Sequence, residues 1–524
     1  MKYIKGQDRS QTSIFPVSME ASIGQNNEVR IIDLFVDSLA IADMGFRTDF
    51  EENGRPAYHP KDLLKLYIYG YLNRMRSSRE LEKEAKRNIE VMWLLKGLSP
   101  DHNTISNFRR DNPKAIKKVF RKTVEIARNF NLIGGKLIAG DSTKLRAQNS
   151  KKNNFNEKKI ARHLEYIEGK LSEYESQLSE ADQDKQELLI KEIEKHNARK
   201  QEYQSLQDQL EQTGEKQIST SDPESRQMIT RNNITEVAYN VQTTVDAENN
   251  IPIDYKVTNQ NDSKAMGTML QRAKSILRSN QFTALYDKGY HTGSEFKTAD
   301  DLGIEVLVAI PKVAANAPNP AYNVEHFVYE PKGDYYVCPQ ANKLITTGTL
   351  HQTRTYRFKR YTTKACMGCP VKDQCSKAKY GKGIQRSEYQ QYIDQNKERI
   401  EKNKDYYRQR QAIVEHPYGT IKRQWGFSYI MTKKTIKRAE ADAGLIFTVY
   451  NLRRLINIIG IEMLINCLKD TLLIIFIRIV LLSRKTSRFK LSEFWRRITS
   501  RFFKPSVKRL TFGQDLGLKL ILMK

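Results

Sequence analysis

Apolar residues recur at helical spacing over residues 60–125, with Leu63, Leu64, Tyr67, Ile68, Tyr71 and Leu72 on one stripe and Leu81, Ala85, Ile89, Trp93 and Leu94 on a second. Pro100 and Asp101 open a further helix, Asn103 to Phe108, that ends in Arg109-Arg110. A compact trihelical unit with a basic last helix is the pattern of a helix-turn-helix. A helical platform that only packs on the next domain has the same pattern.

From Ile160 the apolar positions 160, 164, 167, 171, 174, 178 and 181 alternate in steps of four and three, the spacing of a coiled-coil seam. This predicts a helix over about 157–180. A polar break, Ala181 to Gln186, precedes a second series at Leu189, Ile193, His196, Tyr203, Leu206 and Leu210, so the segment is expected to fold as an antiparallel helical hairpin.

The pattern then changes period. Tyr239 to Thr258 alternates apolar and polar residues around Ala247-Glu248-Asn249-Asn250, which predicts a β-hairpin. Met266, Leu270, Ala273 and Leu277 mark a helix, Phe282 to Tyr286 a strand, Ser294 to Leu302 a helix and Ile304 to Ile310 another strand. With an earlier strand at Lys136 to Gly140 the fold class is α/β. A long helix, Ile436 to Ile459, closes the expected core.

Charge adds a partner to this picture. The chain has 88 Lys and Arg against 61 Asp and Glu, a net +27, which attracts polyanions, nucleic acid first among them. Residues 55–150 (21 basic, 9 acidic) and 461–524 (14 basic, 4 acidic) hold most of the excess. Residues 151–215 carry 11 basic and 15 acidic side chains, so the helical hairpin is the least expected DNA contact. Met1 to Ile14 lacks the apolar core of a secretory signal, which leads to the expectation of a cytoplasmic protein. Lys469, Asp470 and Arg478 interrupt the apolar stretch 461–482, leaving it short of the ~20 residues that span a bilayer, and no membrane partner is expected.

Asp141 follows Leu137-Ile-Ala-Gly and Asp287 follows Phe282 to Tyr286, so both acids are expected at the carboxyl ends of strands, where α/β sheets place ligands. Carboxylate oxygens there suit Mg²⁺, and two such ions about 3.5–4 Å apart serve phosphodiester chemistry. A third carboxylate, Glu415, stands among Arg408, Arg410, Lys422 and Arg423, beside Tyr418 and Trp425, rings that could stack on an unpaired base. Asp246 falls in the hairpin turn and reads as turn chemistry. Cys338, Cys366, Cys369 and Cys375 offer enough thiolates for a closed tetrahedral zinc site, with plain burial as the alternative; Cys467 stands alone.

Five segments together resemble the bacterial insertion-sequence DDE transposases of the IS-four superfamily, in the branch with a Val-Glu-His-Pro-aromatic-Gly-Thr-Ile-Lys motif. They are Arg55-Pro-Ala-Tyr-His-Pro, Ala139-Gly-Asp-Ser-Thr-Lys-Leu-Arg-Ala, Ala238-Tyr-Asn-Val-Gln-Thr-Thr-Val-Asp, Tyr286-Asp-Lys-Gly-Tyr and Val414 to Lys422. The resemblance implies an RNase H-like catalytic core with Asp141, Asp287 and Glu415 as its carboxylates and two Mg²⁺ or Mn²⁺ ions as cofactors. It also implies double-stranded DNA, both element ends and target, as partner, and a homodimer or larger synaptic assembly near the bacterial nucleoid. The superfamily's third motif places Tyr407, Arg410, Glu415 and Lys422, with one extra residue between Arg410 and Glu415 and with Pro417 expected to kink or restart the helix. Arg109, Arg110, Arg408, Arg410, Lys422 and Arg423 are the expected DNA-binding cations. A catalytically dead relic that still binds DNA, and a related nuclease that cuts without joining, are the competing readings.

The organisation expected is an all-α DNA-binding domain at 1–130, the first core strand at 131–150, a helical-hairpin (coiled-coil) insertion at 151–222, the continued core at 223–312, a cysteine-rich insertion at 313–400, C-terminal core helices at 401–460 and a basic tail at 461–524.

Overall fold

Among the described residues six helices precede the first strand: Glu28–Asp37 (α1), Pro60–Leu72 (α2), Ser78–Arg87 (α3), Ile89–Leu94 (α4), His102–Asp111 (α5) and Pro113–Asn129 (α6). Asn27, Asn88 and Asp101 cap the starts of α1, α4 and α5 by accepting from first-turn N–H groups, and Pro60 and Pro113 occupy first positions. The computed structural model describes residues 18–48, 56–180, 182–230, 234–311 and 317–483; the start of the chain and the basic stretch 484–524 lie outside the described residues.

The central sheet is built from Leu137–Arg146 (β1), Arg226–Ile229 (β4), Thr235–Asp246 (β5), Ile251–Thr258 (β6), Thr283–Tyr286 (β7) and Glu305–Val308 (β8). Between β1 and β4 lie Asn154–Phe155 (β2), helices Glu157–Leu178 (α7) and Gln183–Thr213 (α8), and Ile218–Ser219 (β3). Met266–Leu277 (α9) and Gly293–Asp301 (α10) alternate with the later strands. β1, β7 and β8 are parallel neighbours, whose short apolar runs are buried on both faces. On the other side of β1, β5 runs antiparallel, and its outer edge carries β4 and then β6. The order across the sheet is β6-β5-β1-β7-β8.

β1 is longer than the Lys136–Gly140 strand expected. Its parallel pairing with β7 stops at Ala139, but its antiparallel pairing with β5 continues to Arg146. The polar run Asp141-Ser-Thr-Lys hides this extension, because a strand held on one edge needs no apolar alternation to stay paired. Asp141 therefore sits within a strand, at the point where β1 and β7 part.

Helices α7 and α8 pack on each other, with Ile160, Ile167 and Leu171 buried along the expected seam and Phe155, Leu206 and Leu210 closing its base. The β2–β3 pair clasps that base. The break between the helices is tighter than expected, because α8 already begins at Gln183.

Residues 328–387 fold as an antiparallel sheet that the sequence did not reveal: Val328–Glu330 (β9), Tyr335–Val337 (β10), Lys343–Gln352 (β11), Arg357–Thr362 (β12) and Ile384–Ser387 (β13), in the order β13-β12-β11-β10-β9. The four-residue helix Lys372–Cys375 (α11) sits between the last two strands. Helices Gln390–Lys402 (α12), Lys404–Tyr418 (α13), Ile436–Ile459 (α14) and Ile461–Ser483 (α15) follow. No helix among the described residues is long and apolar enough to cross a membrane.

α14 is buried on nearly all sides, packed by α2, α5, α6 and β6. A single acid, Asp442, lies fully buried within it, bonded to Tyr71 Oη and to Arg76 Nη2 at 2.5 Å. Arg109 completes this cluster. Its Nη1 donates to Tyr71 Oη at 2.7 Å and to Arg76 O at 3.1 Å and lies 3.5 Å from Asp442 Oδ1. The basic end of α5 is thus divided. Arg109 is buried against α14, as a packing platform requires, while Arg110 is exposed and forms a two-pronged pair with Asp111.

Candidate active site

Asp141 lies within β1, and Asp287 directly follows the end of its neighbour β7. The β1–β7 register pairs Leu137 with Thr283, Ile138 with Ala284 and Ala139 with Leu285, and continued by two residues it sets Asp141 level with Asp287. Side chains two apart on a strand share a face, so both acids follow Ala139 and Leu285 toward the face that α13 covers. Ala139, Leu285, Val245 and Leu307 form one core cluster with Ile413 and Val414 of α13.

Gly140 makes this approach possible. A Cβ there would lie 2.0 Å from the ring of Tyr286, the residue before Asp287. Asp287 itself opens a 3₁₀ turn, Lys288–Tyr290, and its Oδ1 accepts from Gly289 N at 2.8 Å.

Tyr407, Arg410, Val414 and Tyr418 line the inner face of α13 in steps of three and four. Tyr407 Oη donates to Tyr286 O at 2.9 Å, Arg410 Nη1 meets Asp141 Oδ2 at 3.3 Å, and Tyr418 Oη donates to Asp141 O at 3.2 Å and also bonds Thr243 Oγ1. The extra residue between Arg410 and Glu415 does not keep Arg410 from the site. Glu415, one position beyond Val414 and so about 100° round the helix, is exposed and accepts from Gln411 Nε2 at 2.9 Å. It borders a groove of about 640 Å³ together with Ser142, Lys144, Tyr418, Lys422 and Arg423.

Pro417 does not break α13. The α-helix runs to Tyr418 and widens into a π-helical turn, Gly419–Gln424. Proline removes one i→i−4 bond, and a wider turn is one way of re-registering the chain beyond it. The turn brings Lys422 Nζ to Thr143 Oγ1 at 3.0 Å and Lys144 O at 3.1 Å.

Burial pushes Asp141 up to about 6; Arg410 and the Ser142 N–H oppose the shift, and the neighbouring charges of Asp287 and Asp262 add to it. Asp262, unmarked in the sequence because it lies in the polar loop after β6, accepts from Asn240 Nδ2 at 2.7 Å, Gln242 Nε2 at 2.6 Å and Lys144 Nζ at 3.2 Å. Burial raises its pKa, but Lys144 and these donors hold it below the ordinary carboxylate value. A Cβ on Gly289 would meet both Asp287 Oδ1 and Asp262 Oδ2, so this acid stands beside the pair. Among the described residues, no three His, Cys, Asp or Glu side chains stand close enough, as placed, to form a metal cage.

The remaining residues singled out in the sequence are dispersed. Arg408 is exposed and pairs with Asp405, while Arg423 faces the groove. Tyr418 is committed to Asp141 and Thr243, and Trp425 packs on Phe427 and Tyr450, so neither ring is a free stacking platform. Asp246 is buried at the end of β5, where its carboxylate accepts from Gly134, Gly135 and Glu248 N–H groups and ties the loop before β1 to the hairpin. Cys338, Cys366, Cys369 and Cys375 border one small cavity beside β10.

Residues 17–111 match the family described as a transposase domain (DUF772), and residues 337–456 match the family described as a transposase DDE domain. Two segments of the chain are thus each similar to a transposase domain, the second of the DDE kind. The second match includes α13 with Glu415, whereas Asp141 and Asp287 lie outside both. No curated protein matches the chain. A solved structure that does match is the piggyBac transposase synaptic complex with hairpin DNA, at 10% identity, over 93% of this chain and 87% of that one, with a TM-score of 0.30. A likeness that loose says nothing about residue positions.

Proposed function

We propose that this chain is a DNA transposase that binds the ends of an insertion sequence, cuts phosphodiesters there and joins the freed 3′-hydroxyls to target DNA, with Asp141, Asp287 and Glu415 as its catalytic carboxylates. The observation that carries this reading is that Asp141 and Asp287 each lie two residues beyond the last paired residues, Ala139 and Leu285, of the parallel strands β1 and β7, beneath a helix that bonds Asp141 and bears Glu415. The order β6-β5-β1-β7-β8, with only the β5 and β6 side antiparallel, supports an RNase H-like core.

The donor types suit Mg²⁺ or Mn²⁺: hard carboxylate oxygens, one of them on half-buried Asp141 with Asp287 and Asp262 near it. Asp141, Asp287 and Glu415 would hold two such ions, which when bound supply Lewis-acid polarisation of the phosphate and stabilise developing negative charge. The chain's own groups do the rest. Arg410 orients Asp141 and balances its charge, Tyr418 fixes the β1 backbone at that point, and Lys422 and Arg423 set positive charge along the groove for DNA phosphates. Exposed Arg110 and Arg408 can add phosphate contacts further out.

Attack of water on the phosphodiester releases a 3′-hydroxyl and leaves a 5′-phosphate. That hydroxyl then displaces a 3′-oxygen in the target, with no covalent protein intermediate. Recognition of two element ends calls for a homodimer or larger assembly, for which the α7–α8 arm is the candidate contact element, working on DNA in the bacterial cytoplasm.

The test is a joining assay with the full chain, a precut duplex ending in the terminal repeat with a free 3′-hydroxyl, a plasmid target and Mg²⁺ or Mn²⁺. Covalent joint molecules support the proposal. Hydrolysis without joining would make the chain a nuclease, and binding without either would make it a relic.

A further inference from the structure

The cysteine-bearing sheet lies apart from the groove and plays no part in the chemistry proposed above. Its core is small: Phe327, Tyr336, Leu344, Tyr361 and Ile384, with Cys338 and Cys375 packed at the edge. Several of its strands are three or four residues long. A core of that size seldom holds a fold of some sixty residues without a staple.

The four thiols reach one place from three separate elements. Cys338 leaves the end of β10, Cys366 belongs to the 3₁₀ turn Lys364–Gly368 and Cys369 follows it, and Cys375 ends α11. All four line a single cavity of about 30 Å³, roughly the volume of one water molecule. None is in a disulfide. The chain closes tightly around them, because Gly381, at φ +88, has no room for a Cβ: one would lie 2.2 Å from Cys366 Cβ. Lys382, buried beside it, lines the same cavity. A lysine placed next to four thiols is well matched if negative charge stands near. A tetrahedral site of four thiolates on a divalent ion carries a net charge of two minus and supplies that charge.

We propose that Cys338, Cys366, Cys369 and Cys375 bind one structural zinc ion, and that Lys382 is the buried counter-charge of that site. As placed, the sulfurs border the cavity without forming a cage; binding draws them inward, and the protons leave as the thiolates form. The ion then ties β10, the 3₁₀ turn and α11 together, and it stabilises the whole sheet, because no such site exists in the unfolded chain. Four sulfur donors favour zinc over Mg²⁺ or Mn²⁺, so the site is separate from the carboxylates both in place and in chemistry.

The full chain, produced in zinc-containing medium and desalted, is analysed for bound metal by elemental analysis. The expected result is one zinc per chain, retained in Cys467→Ser and lost in Cys369→Ser/Cys375→Ser. Because the double variant can fail to fold, a second measurement uses the unaltered protein: zinc is removed under reducing conditions and replaced with Co²⁺. Four-sulfur tetrahedral coordination then appears as intense visible d–d bands with thiolate-to-cobalt charge transfer. Lys382→Met is expected to bind cobalt more weakly, about tenfold, with the same spectrum. Protein free of zinc after replete expression, zinc unaffected by the double substitution, or a cobalt spectrum without sulfur ligation would each overturn the proposal. Loss of DNA cleavage alone would bear on the carboxylates and leave the zinc site standing.

Discussion

Arg410 reaches Asp141 across 269 residues of chain, its Nη1 3.3 Å from the carboxylate Oδ2. The contact sets the charge balance at Asp141. Burial pushes Asp141 up to about 6, Arg410 pulls it back, and Asp287 and Asp262 add to the rise. A carboxyl whose folded pKa lies above its unfolded value favours the folded state most below about pH 4, and that advantage is lost as pH rises through about 6. Denaturant unfolding in the presence of a chelator should show this loss, on the order of 2 kcal/mol between those limits, and Asp141→Asn should flatten it. In the same window protons and divalent ions compete for Asp141, so metal affinity measured calorimetrically should climb with pH. Arg410→Gln should move the midpoint of that climb upward.

Asp442 holds two buried guanidiniums, Arg76 and Arg109, inside the contact between α14 and the N-terminal helices. Asp442→Ala should cost about 3–5 kcal/mol, because it leaves both buried cations without their counter-charge. Burial raises the Asp442 pKa, but Arg76 and Arg109 hold it below the ordinary carboxylate value. The stability it contributes is therefore present above about pH 4 and lost in more acid solution. Chemical denaturation of wild type and variant across pH 3–7 checks both statements. An Asp442→Ala protein as stable as wild type would remove this cluster from the account.

The cations divide into two groups by what each does in the fold. Lys422→Ala and Arg423→Ala should each lower the slope of log affinity against log salt by about one under the proposed function, which gives each a phosphate contact in the groove. Arg109→Ala should leave that slope unchanged and lower the melting temperature instead, because its side chain faces Tyr71 and Asp442. Binding titrations of terminal-repeat DNA at several salt concentrations separate the two behaviours.

Gly140→Ala tests the close approach between the aspartate strands. The added methyl would lie 2.0 Å from the Tyr286 ring, so that ring and Asp287 behind it must shift. Overpacking of this kind costs roughly 1–3 kcal/mol. Cleavage should fall at least tenfold while binding of element ends changes little, as a site displaced by an ångström loses rate before affinity.

Elements with a strong period were legible in the sequence. Helix α14 spans Ile436–Ile459, the β5–β6 hairpin turns over Ala247–Asn250, and the seam of α7 buries Ile160, Ile167 and Leu171 as its spacing requires. Asp141 and Asp287 stood out because each follows an apolar strand. Their shared register did not, since it depends on how distant strands pair. The meander from β9 to β13 was hidden because its strands are short and half exposed, with polar residues at most positions of β11. Arg109 read as a surface cation because its partner, Asp442, lies more than three hundred residues away, in a helix whose one buried acid was the only clue. The path of Lys422 was hidden by Pro417, where the sequence predicts a kink or restart and the chain answers with a π-helical turn.

The central claim is that Asp141 and Asp287 act together on DNA. The most direct test compares strand cleavage of duplex DNA carrying the element's terminal repeats by the intact chain and by Asp287→Ala, with Mg²⁺ or Mn²⁺ and with a chelator. The account predicts metal-dependent nicking at the repeat ends by the intact chain and a loss of at least a thousandfold in the variant, which still binds the ends. Equal cleavage by both proteins, or cleavage that persists in the chelator, would contradict it.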